Sequence, residues 1–367
     1  MVMDKISEDY IKSIKTSQLD ELSAYRKEKL YKAPELRQLF FELTMKCNEN
    51  CFHCGSGCDP KAIHGMPARK YKEILDEVKE NFDISRLQLA ITGGEPLLYP
   101  DFFEVLGYAH NLGYKWGMTS NGTLITKEVA RKLHECGMGT ISISIDGLPD
   151  THDRQRGLQG GYEMAMRGIK NLIEESGFNH IQVTTVFNHK NIDEIDEIYD
   201  IMLGIDIDSW RVIGIEPIGR ALQHPDYMLT TEDQKRLFDF IKEKREEQMP
   251  VTYGCSHFLG LDYEREVRKW YFLCNAGVYV ASIMANGDVG ACLDIERRPE
   301  TIQGNVYKEN FTDIWKNRFE IFRKPLSPLN EKCSTCEYEK WCAGGAAHSW
   351  DYDQNEQRIC MKDILFR

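Results

Sequence analysis

Twelve of the 367 residues are cysteines, at positions 47, 51, 54, 58, 136, 255, 274, 292, 333, 336, 342 and 360. Eleven fall into two groups, four from 47 to 58 and seven from 255 to 360, with only Cys136 between them. Clustered cysteines in a chain without a secretion signal point to metal rather than to disulfides. In Lys46-Cys47-Asn48-Glu49-Asn50-Cys51-Phe52-His53-Cys54 the spacing is C-x3-C-x2-C. Three thiolates on one short loop can hold three irons of a 4Fe–4S cube and leave the fourth iron open to a substrate. The other use of such spacing is a zinc loop, because C-x2-C is also a zinc element. The C-terminal group reads Cys274-x12-Gly287-x4-Cys292, then Cys333-x2-Cys336-x5-Cys342, then Cys360, with Cys255 upstream. Cys136, beside Gly137, reads as core packing.

These residues sit in an ordinary globular composition. Hydrophobic residues make up 42% and aromatic residues 11%, which excludes a disordered, collagen-like or coiled-coil chain. Lys plus Arg is 46 against 58 for Asp plus Glu, a formal charge of −12. That balance argues against a nucleic-acid binder, which needs clustered Lys and Arg to neutralise phosphates, and leaves room only for a local basic pocket. The opening MVMDKISEDY has no apolar signal core, so a cytoplasmic location is expected. The longest uncharged run, Trp270 to Gly287, contains Asn275, Gly277, Asn286 and Gly287 and reads as strand and turn, not as a membrane span.

Between the two cysteine groups, strand and helix patterns alternate. Leu39–Leu43, Leu87–Ile91, Lys115–Ser120, Thr140–Ile145, Ile181–Phe187 and Trp210–Ile215 are six strand candidates, and helices are expected near 67–80, 101–112, 126–136, 161–175 and 191–203. That rhythm predicts an α/β fold with a parallel sheet and right-handed crossovers, an open or partial (β/α)6 barrel. Polar and glycine-containing motifs follow the strands at Cys47, Gly93, Asn121, Asp146 and Glu216, where parallel folds build their active-site rim. Residues 1–36 read as a charged, solvated helix covering the barrel. A helical connector is expected over 226–265, its helix near 231–247 opened by a capping box at Thr231-x-x-Gln234. In the remaining 266–367 segment, Val278–Ile283 and Val289–Leu293 around Ala285-Asn286-Gly287-Asp288 read as a β-hairpin.

The cysteine triplet after the first strand resembles that of the radical S-adenosylmethionine (SAM) enzymes. In that family the open iron chelates the amino and carboxylate groups of SAM, and reductive cleavage gives a 5′-deoxyadenosyl radical that abstracts hydrogen. Gly93-Gly94-Glu95-Pro96 after the second strand matches the family's GGEP motif, so the resemblance assigns it to the SAM amino group. Ser120-Asn121-Gly122 ends the third strand; Ser142, Ser144, Asp146 and Gly147 lie on or after the fourth, with His152, Asp153 and Arg156 beyond. The resemblance implies polar contacts to the SAM carboxylate and ribose from these strands, Ser144 foremost and Arg156 next, with His53 near the adenine. It covers about residues 38–225 and makes Cys47, Cys51 and Cys54 the cluster ligands. Cys58 is then free to donate hydrogen to a product radical, or simply to pack as a small buried residue. Glu216 and Arg220 face substrate or SAM, or else form a surface ion pair.

The C-terminal cysteines resemble the SPASM extension, which binds auxiliary iron–sulfur clusters in peptide-maturing enzymes. Carried over, Cys333, Cys336, Cys342 and Cys360 hold one cluster, and Cys274 and Cys292 share another that the Gly287 hairpin helps to assemble. The chain departs from the pattern at Ala346, where the motif has a further cysteine. Cys255 can supply a third ligand, and His348, Asp351 or nothing the fourth, so this site is a cube with an open position or a 2Fe–2S cluster. The resemblance implies a radical SAM/SPASM maturase that crosslinks, oxidises or epimerises a peptide. It draws electrons from an external one-electron reductant such as flavodoxin or ferredoxin. The N-terminal segment is short for a winged-helix leader-binding domain, which implies either a separate recognition protein or a substrate that is not a leader peptide. The alternatives are a radical enzyme acting on a small molecule or tetrapyrrole, a sulfatase-maturing enzyme, and a non-enzymatic electron-transfer protein.

Overall fold

The computed structural model describes residues 8–245, 247, 250–254 and 257–365. Six strands, β1 (Gln38–Glu42), β2 (Gln88–Thr92), β3 (Lys115–Ser120), β4 (Met138–Ser144), β5 (His180–Phe187) and β6 (Ser209–Gly214), lie side by side in chain order, every neighbouring pair parallel. Helices α2 (Ala68–Asn81), α3 (Phe102–Leu112), α4 (Lys127–Glu135), α6 (Gly161–Glu175) and α7 (Ile195–Leu203) fill the crossovers; α1 (Glu8–Tyr25) precedes the sheet. Each helix is held by an apolar stripe. In α2, Tyr71, Ile74, Leu75 and Val78 recur at helical spacing and are buried against the sheet. Caps fix the ends: the Thr126 side chain accepts from Val129 N, and α3 stops at Gly113, whose φ of 96° only glycine adopts freely. This is the partial α/β barrel expected from the strand–helix rhythm. Two elements escaped the sequence pattern, the short α5 (Pro149–Arg156), too polar to show periodicity, and β7 (Val251–Tyr253), which extends the sheet beside β6.

On the other edge, β8 (Val280–Ile283) pairs parallel with β1 and turns into β9 (Asp288–Gly290) and β10 (Gly304–Asn305), giving one ten-stranded sheet. The expected hairpin is thus present and continues the barrel sheet. Glu42, fully buried at the end of β1, accepts from Ala285 N at 3.0 Å and from Arg297, tying the two together. The connector helix α8 (Thr231–Lys244) is capped one residue earlier than expected. Thr230 and Asp233, not Thr231 and Gln234, form the capping box, because Asp233 can reach back to Thr230 N at 2.9 Å while Gln234 is buried. The N-terminal helix also differs from expectation. Instead of a solvated cover on the barrel, α1 packs on the C-terminal cysteine-rich segment. Lys15 Nζ donates to Leu261 O at 2.8 Å, Ser23 Oγ to Lys340 O at 2.7 Å, and Asp20 accepts from Trp341 Nε1 at 2.7 Å. Leu19 and Ser23 form the buried face that its overall polarity conceals. Among the described residues no helix is long and apolar enough to cross a membrane.

Candidate active site and cluster pockets

The loop after β1 is pinned before it carries any ligand. Thr44 bridges to His64 and Lys46 to Asp59, closing residues 44–64 into a lobe. Its far wall is held by α5, where Asn50 N donates to Arg156 O at 3.0 Å and Phe52 N to Gln155 O at 3.2 Å. Arg220 clasps it from the β6 side: Nε donates to Cys51 O at 2.8 Å and Nη1 to Cys58 O at 2.9 Å. Gly219 makes this approach possible, since a Cβ there would lie 2.4 Å from the Cys54 and Gly55 carbonyl oxygens. The two glycines after β2 do the same from below. A Cβ on Gly94 would sit 2.2 Å from Lys46 O, and one on Gly93 2.4 Å from Thr44 O. Their first service is therefore to seat the cysteine loop, with Gly94 N donating to Thr44 O and Glu95 N to Lys46 O.

The result is a cavity of about 200 Å³ at the C-terminal strand ends. Cys47, Cys51, Cys54 and Cys58 line it together with Gly93, Gly94, Ser120, Asn121, Ser144, His53, Arg156 and Arg220. Of the sequence candidates, Glu95, Pro96, Asp146 and Glu216 lie outside the lining. Glu95 is buried as a brace: both oxygens accept from Ser120 Oγ, at 2.9 and 3.0 Å, and Oε2 also accepts from Asn121 N. Burial pushes its carboxyl up to about 7. Pro96 opens the short 3-10 turn that Glu95 caps. Asp146 supports the cavity from beneath. It lies 3.2 Å from His53 Nε2 and accepts from Arg156 Nε at 2.8 Å, and although burial alone would raise it, Arg156 and His53 hold it well below the usual carboxylate range.

Sequence reasoning missed Glu49. It is buried, lines the cavity, is bonded by Arg156 Nη1, and has Oε1 without a partner. Its position inside the cysteine motif was the available signal. Glu216 and Arg220 do not pair with each other. Glu216 accepts from His257 Nε2 at 2.8 Å, whereas Arg220 faces the cavity with Nη2 unpartnered. The thiols differ in character. Burial pushes Cys47 up to about 12 and Cys51 well above the ordinary thiol value, while a hydrogen bond from Cys58 brings Cys54 down to about 5.

A second cavity, about 220 Å³, is lined by Cys333, Cys336, Cys342 and Cys360. Cys333 lies on α9 (Glu331–Ser334), its amide capped by Asn330 Oδ1 at 3.2 Å; Cys342 ends α10 (Glu339–Cys342); Cys360 precedes α11 (Met361–Leu365). After burial, their own mutual repulsion raises Cys333 and Cys342, the behaviour of thiols gathered for a cation. Cys274 and Cys292 are outside this cavity's lining, although Cys274 shares a neighbouring small cavity with Cys342; both sulfurs act on Tyr352, whose phenol is raised by burial first and then by them. Cys255 lies outside the described residues. Ala346, where the motif has a cysteine, is buried in a small apolar cluster with Phe258 and Phe272 against which Cys274 packs. Of the two candidate substitutes, Asp351 is turned to Arg358 and its own loop amides, while the His348 ring is tilted against that of His257 with centres 6.3 Å apart. Both sets of thiols offer soft donors around a cavity, which fits iron–sulfur clusters.

Residues 41–202 match the radical SAM superfamily, and residues 274–337 match the SPASM iron–sulfur cluster-binding domain. The chain is 31% identical over 315 residues to the mycofactocin maturase MftC of Mycolicibacterium smegmatis, covering 84% of this chain and 77% of that protein. It belongs to the radical SAM superfamily and carries a SPASM domain. It is also 29% identical over 342 residues to the AdoMet-dependent heme synthase of Methanosarcina barkeri, covering 87% of this chain and 95% of that one. In fold it is similar to Streptococcus suis SuiB bound to S-adenosylmethionine, with a TM-score of 0.70 at 20% identity over 98% of this chain and 84% of that one. The native anSMEcpe chain with bound AdoMet and a peptide gives 0.68 at 19% identity, over 90% and 94%.

Proposed function

We propose that this radical SAM enzyme modifies a peptide, with Cys47, Cys51 and Cys54 holding the SAM-binding cluster and Cys333, Cys336, Cys342 and Cys360 an auxiliary one. When bound, the cluster and SAM supply a carbon radical able to abstract hydrogen from an unactivated C–H bond. This chain's residues prepare the place. Arg220 and the two glycines fix the cysteine loop, so the thiolates are aimed before iron arrives. Ser120 and Asn121 line the cavity with their side chains engaged on Glu95, Asn48 and Thr123, Ser144 offers a hydroxyl to a polar ligand, and Arg220 Nη2 and Glu49 Oε1 are a buried donor and acceptor awaiting one. Asp146 keeps His53 and Arg156 in position through their nitrogens.

The observation that carries the peptide reading is the cleft beside the cavity. A space of about 280 Å³ shares Gly55 with the SAM cavity and is lined by Asp294, Glu296, Arg297 and Arg358. Its two acids balance its two bases, and both arginines are already engaged, Arg297 with Glu42 and Arg358 with Glu296. A mixed-charge wall suits the amides and assorted side chains of a peptide. A tetrapyrrole bearing several carboxylates needs a surplus of cations. Likeness to MftC supports the same reading. The second reading, a tetrapyrrole substrate, is favoured by the match to heme synthase over nearly its full length. The test is anaerobic incubation of the reconstituted protein with SAM, reductant and either a short peptide encoded beside its gene or a carboxylated iron tetrapyrrole. A mass change in the peptide with stoichiometric 5′-deoxyadenosine is expected; turnover of the tetrapyrrole alone would replace the peptide reading by the second.

A further inference from the structure

The cleft beside the SAM cavity carries one charge that its own walls do not answer. Arg297 is spent on the buried Glu42 of β1, and Arg358 on Glu296, which also meets Arg298. Asp294 is left over. It lines the cleft, is exposed, and among the described residues has no cation within 4 Å; the Cys292 thiol lies 4.0 Å from its Oδ2. The unpartnered Nη2 of Arg220 does not answer it, because Arg220 lines the SAM cavity and not this cleft. No described backbone amide donates to the Asp294 carboxylate either, so the fold does not use it.

Beside this carboxylate the wall is aliphatic. Gly55 stands between the two: a Cβ there would lie 3.1 Å from Ile218 Cδ1 and 3.6 Å from Asp294 Oδ1. Leu222 and Leu293 extend the apolar side, and Leu222 is 49% exposed. An apolar stem that ends in a cation, as in Lys and Arg, covers such a surface and answers its charge. The net charge of −12 favours the approach of a basic peptide from a distance. We propose that the cleft is a subsite for a Lys or Arg side chain of the peptide, its stem along Ile218 and Leu222 and its head on the Asp294 carboxylate. The inference rests on the peptide reading and names the residue type that flanks the point of modification. Gly55 follows Cys54 and also lines the SAM cavity, so the side chain on Asp294 and the residue entering that cavity are near neighbours in the peptide, at about 3.3–3.6 Å per residue of extended chain.

Fluorescence polarisation of labelled heptapeptides on the reconstituted enzyme, with SAM and without reductant, tests it. The peptides share a glycine–alanine frame and differ only at the central residue, which is lysine, arginine, norleucine or glutamate. The lysine and arginine peptides should bind about fivefold more tightly than the norleucine peptide, the worth of a partly solvated ion pair. Asp294→Asn should abolish that preference and Asp294→Lys should turn it towards glutamate, while Leu222→Ala should weaken the lysine and norleucine peptides alike. Glu80→Gln, exposed on α2, removes the same charge elsewhere and should leave the preference intact. Iron content and circular dichroism report whether each variant is loaded and folded. Equal binding of the lysine and norleucine peptides by the parent overturns the proposal, as does a preference that survives Asp294→Asn or is lost equally in Glu80→Gln. Absence of binding by all four peptides overturns it too. The mass-change assay judges the peptide reading separately. Undiminished modification of a peptide whose Lys and Arg are all replaced by norleucine refutes this subsite alone, whereas turnover of the tetrapyrrole alone refutes the reading beneath it.

Discussion

Arg156 Nε donates to Asp146 Oδ2 at 2.8 Å, and both side chains are almost wholly out of solvent. The same guanidinium reaches Glu49 in the cysteine loop, so one cation from α5 neutralises two buried carboxylates, one after β4 and one between Cys47 and Cys51. Removing one partner of a buried ionic group is far costlier than the group's net contribution, because the others stay charged and dry. Arg156→Ala should therefore destabilise the fold by about 3–5 kcal/mol. Arg156→Lys should recover only part of this, lacking the fork that serves both acids. Denaturant unfolding of the cluster-free protein is the measurement; a loss under about 1 kcal/mol, the range of a surface pair, would refute the bridge.

Arg220 makes a similar argument at lower stakes. Its two hydrogen bonds go to carbonyls of the cysteine loop, so Arg220→Ala should loosen the loop without emptying the C-terminal pocket. Reconstituted iron should fall by up to about 4 per chain, the content of one cube. Iron analysis beside a Cys47/Cys51/Cys54→Ala triple variant checks this, since both should retain the same C-terminal iron.

The barrel and the gathering of the cysteines were legible in the sequence because their signals are local. Strand periodicity marked β1 to β6 within a residue or two, and the cysteine spacings brought Cys47, Cys51 and Cys54, and separately Cys333, Cys336, Cys342 and Cys360, to single cavities. What stayed hidden was non-local. Nothing in the sequence near Gly94 says that it must admit Lys46 O, or near Arg220 that it reaches back to Cys51 O across 169 positions. Glu95 read as a ligand residue, yet its carboxylate is spent on Ser120 and Asn121. The capping box shifted because two adjacent threonines offer equal local signals and only burial of Gln234 decides between them.

The close seat of Gly94 is itself testable. A methyl group there would meet Lys46 O at 2.2 Å and Cys47 Cβ at 3.0 Å, and both are held by backbone hydrogen bonds to neighbouring segments. Gly94→Ala should push the loop outward and lower cluster retention at Cys47, Cys51 and Cys54. The loss of the SAM cluster's electron paramagnetic resonance signal, with the C-terminal signal unchanged, is the expected result; an unaltered signal would mean that the loop gives way freely.

Cys58 is 2% exposed, lies 3.9 Å from Met45 Sδ through its sulfur, and lowers the neighbouring Cys54 thiol. As a neighbour of a proposed cluster thiolate rather than a proposed ligand, it should be dispensable for SAM cleavage but not for the cluster's potential, which depends on the groups around the sulfurs. Cys58→Ala should keep 5′-deoxyadenosine formation and shift the midpoint potential downward, and Cys58→Ser should restore part of the shift. Loss of cleavage in Cys58→Ala would make Cys58 a ligand and break the assignment of three.

His152 sets a pH dependence that can be read without any cluster. Its Nδ1 accepts from Asp146 N at 3.1 Å, which requires the neutral ring, and burial, with Arg156 next, lowers its pKa to about 4. The unfolded chain binds this proton near pH 6.5, so the folded form refuses a proton that the unfolded form takes up. The contribution is therefore fully present above about pH 6.5 and is lost as pH falls towards 4, up to about 3 kcal/mol across that window. His152→Asn keeps an acceptor near the Asp146 amide and removes the titration. Its stability should fall less than that of the parent between pH 7 and 4.5, the two curves converging in acid, as followed by urea unfolding at each pH. Parallel curves across the window would show that His152 takes up its proton in the folded chain, and the bond from Asp146 N would then need another account.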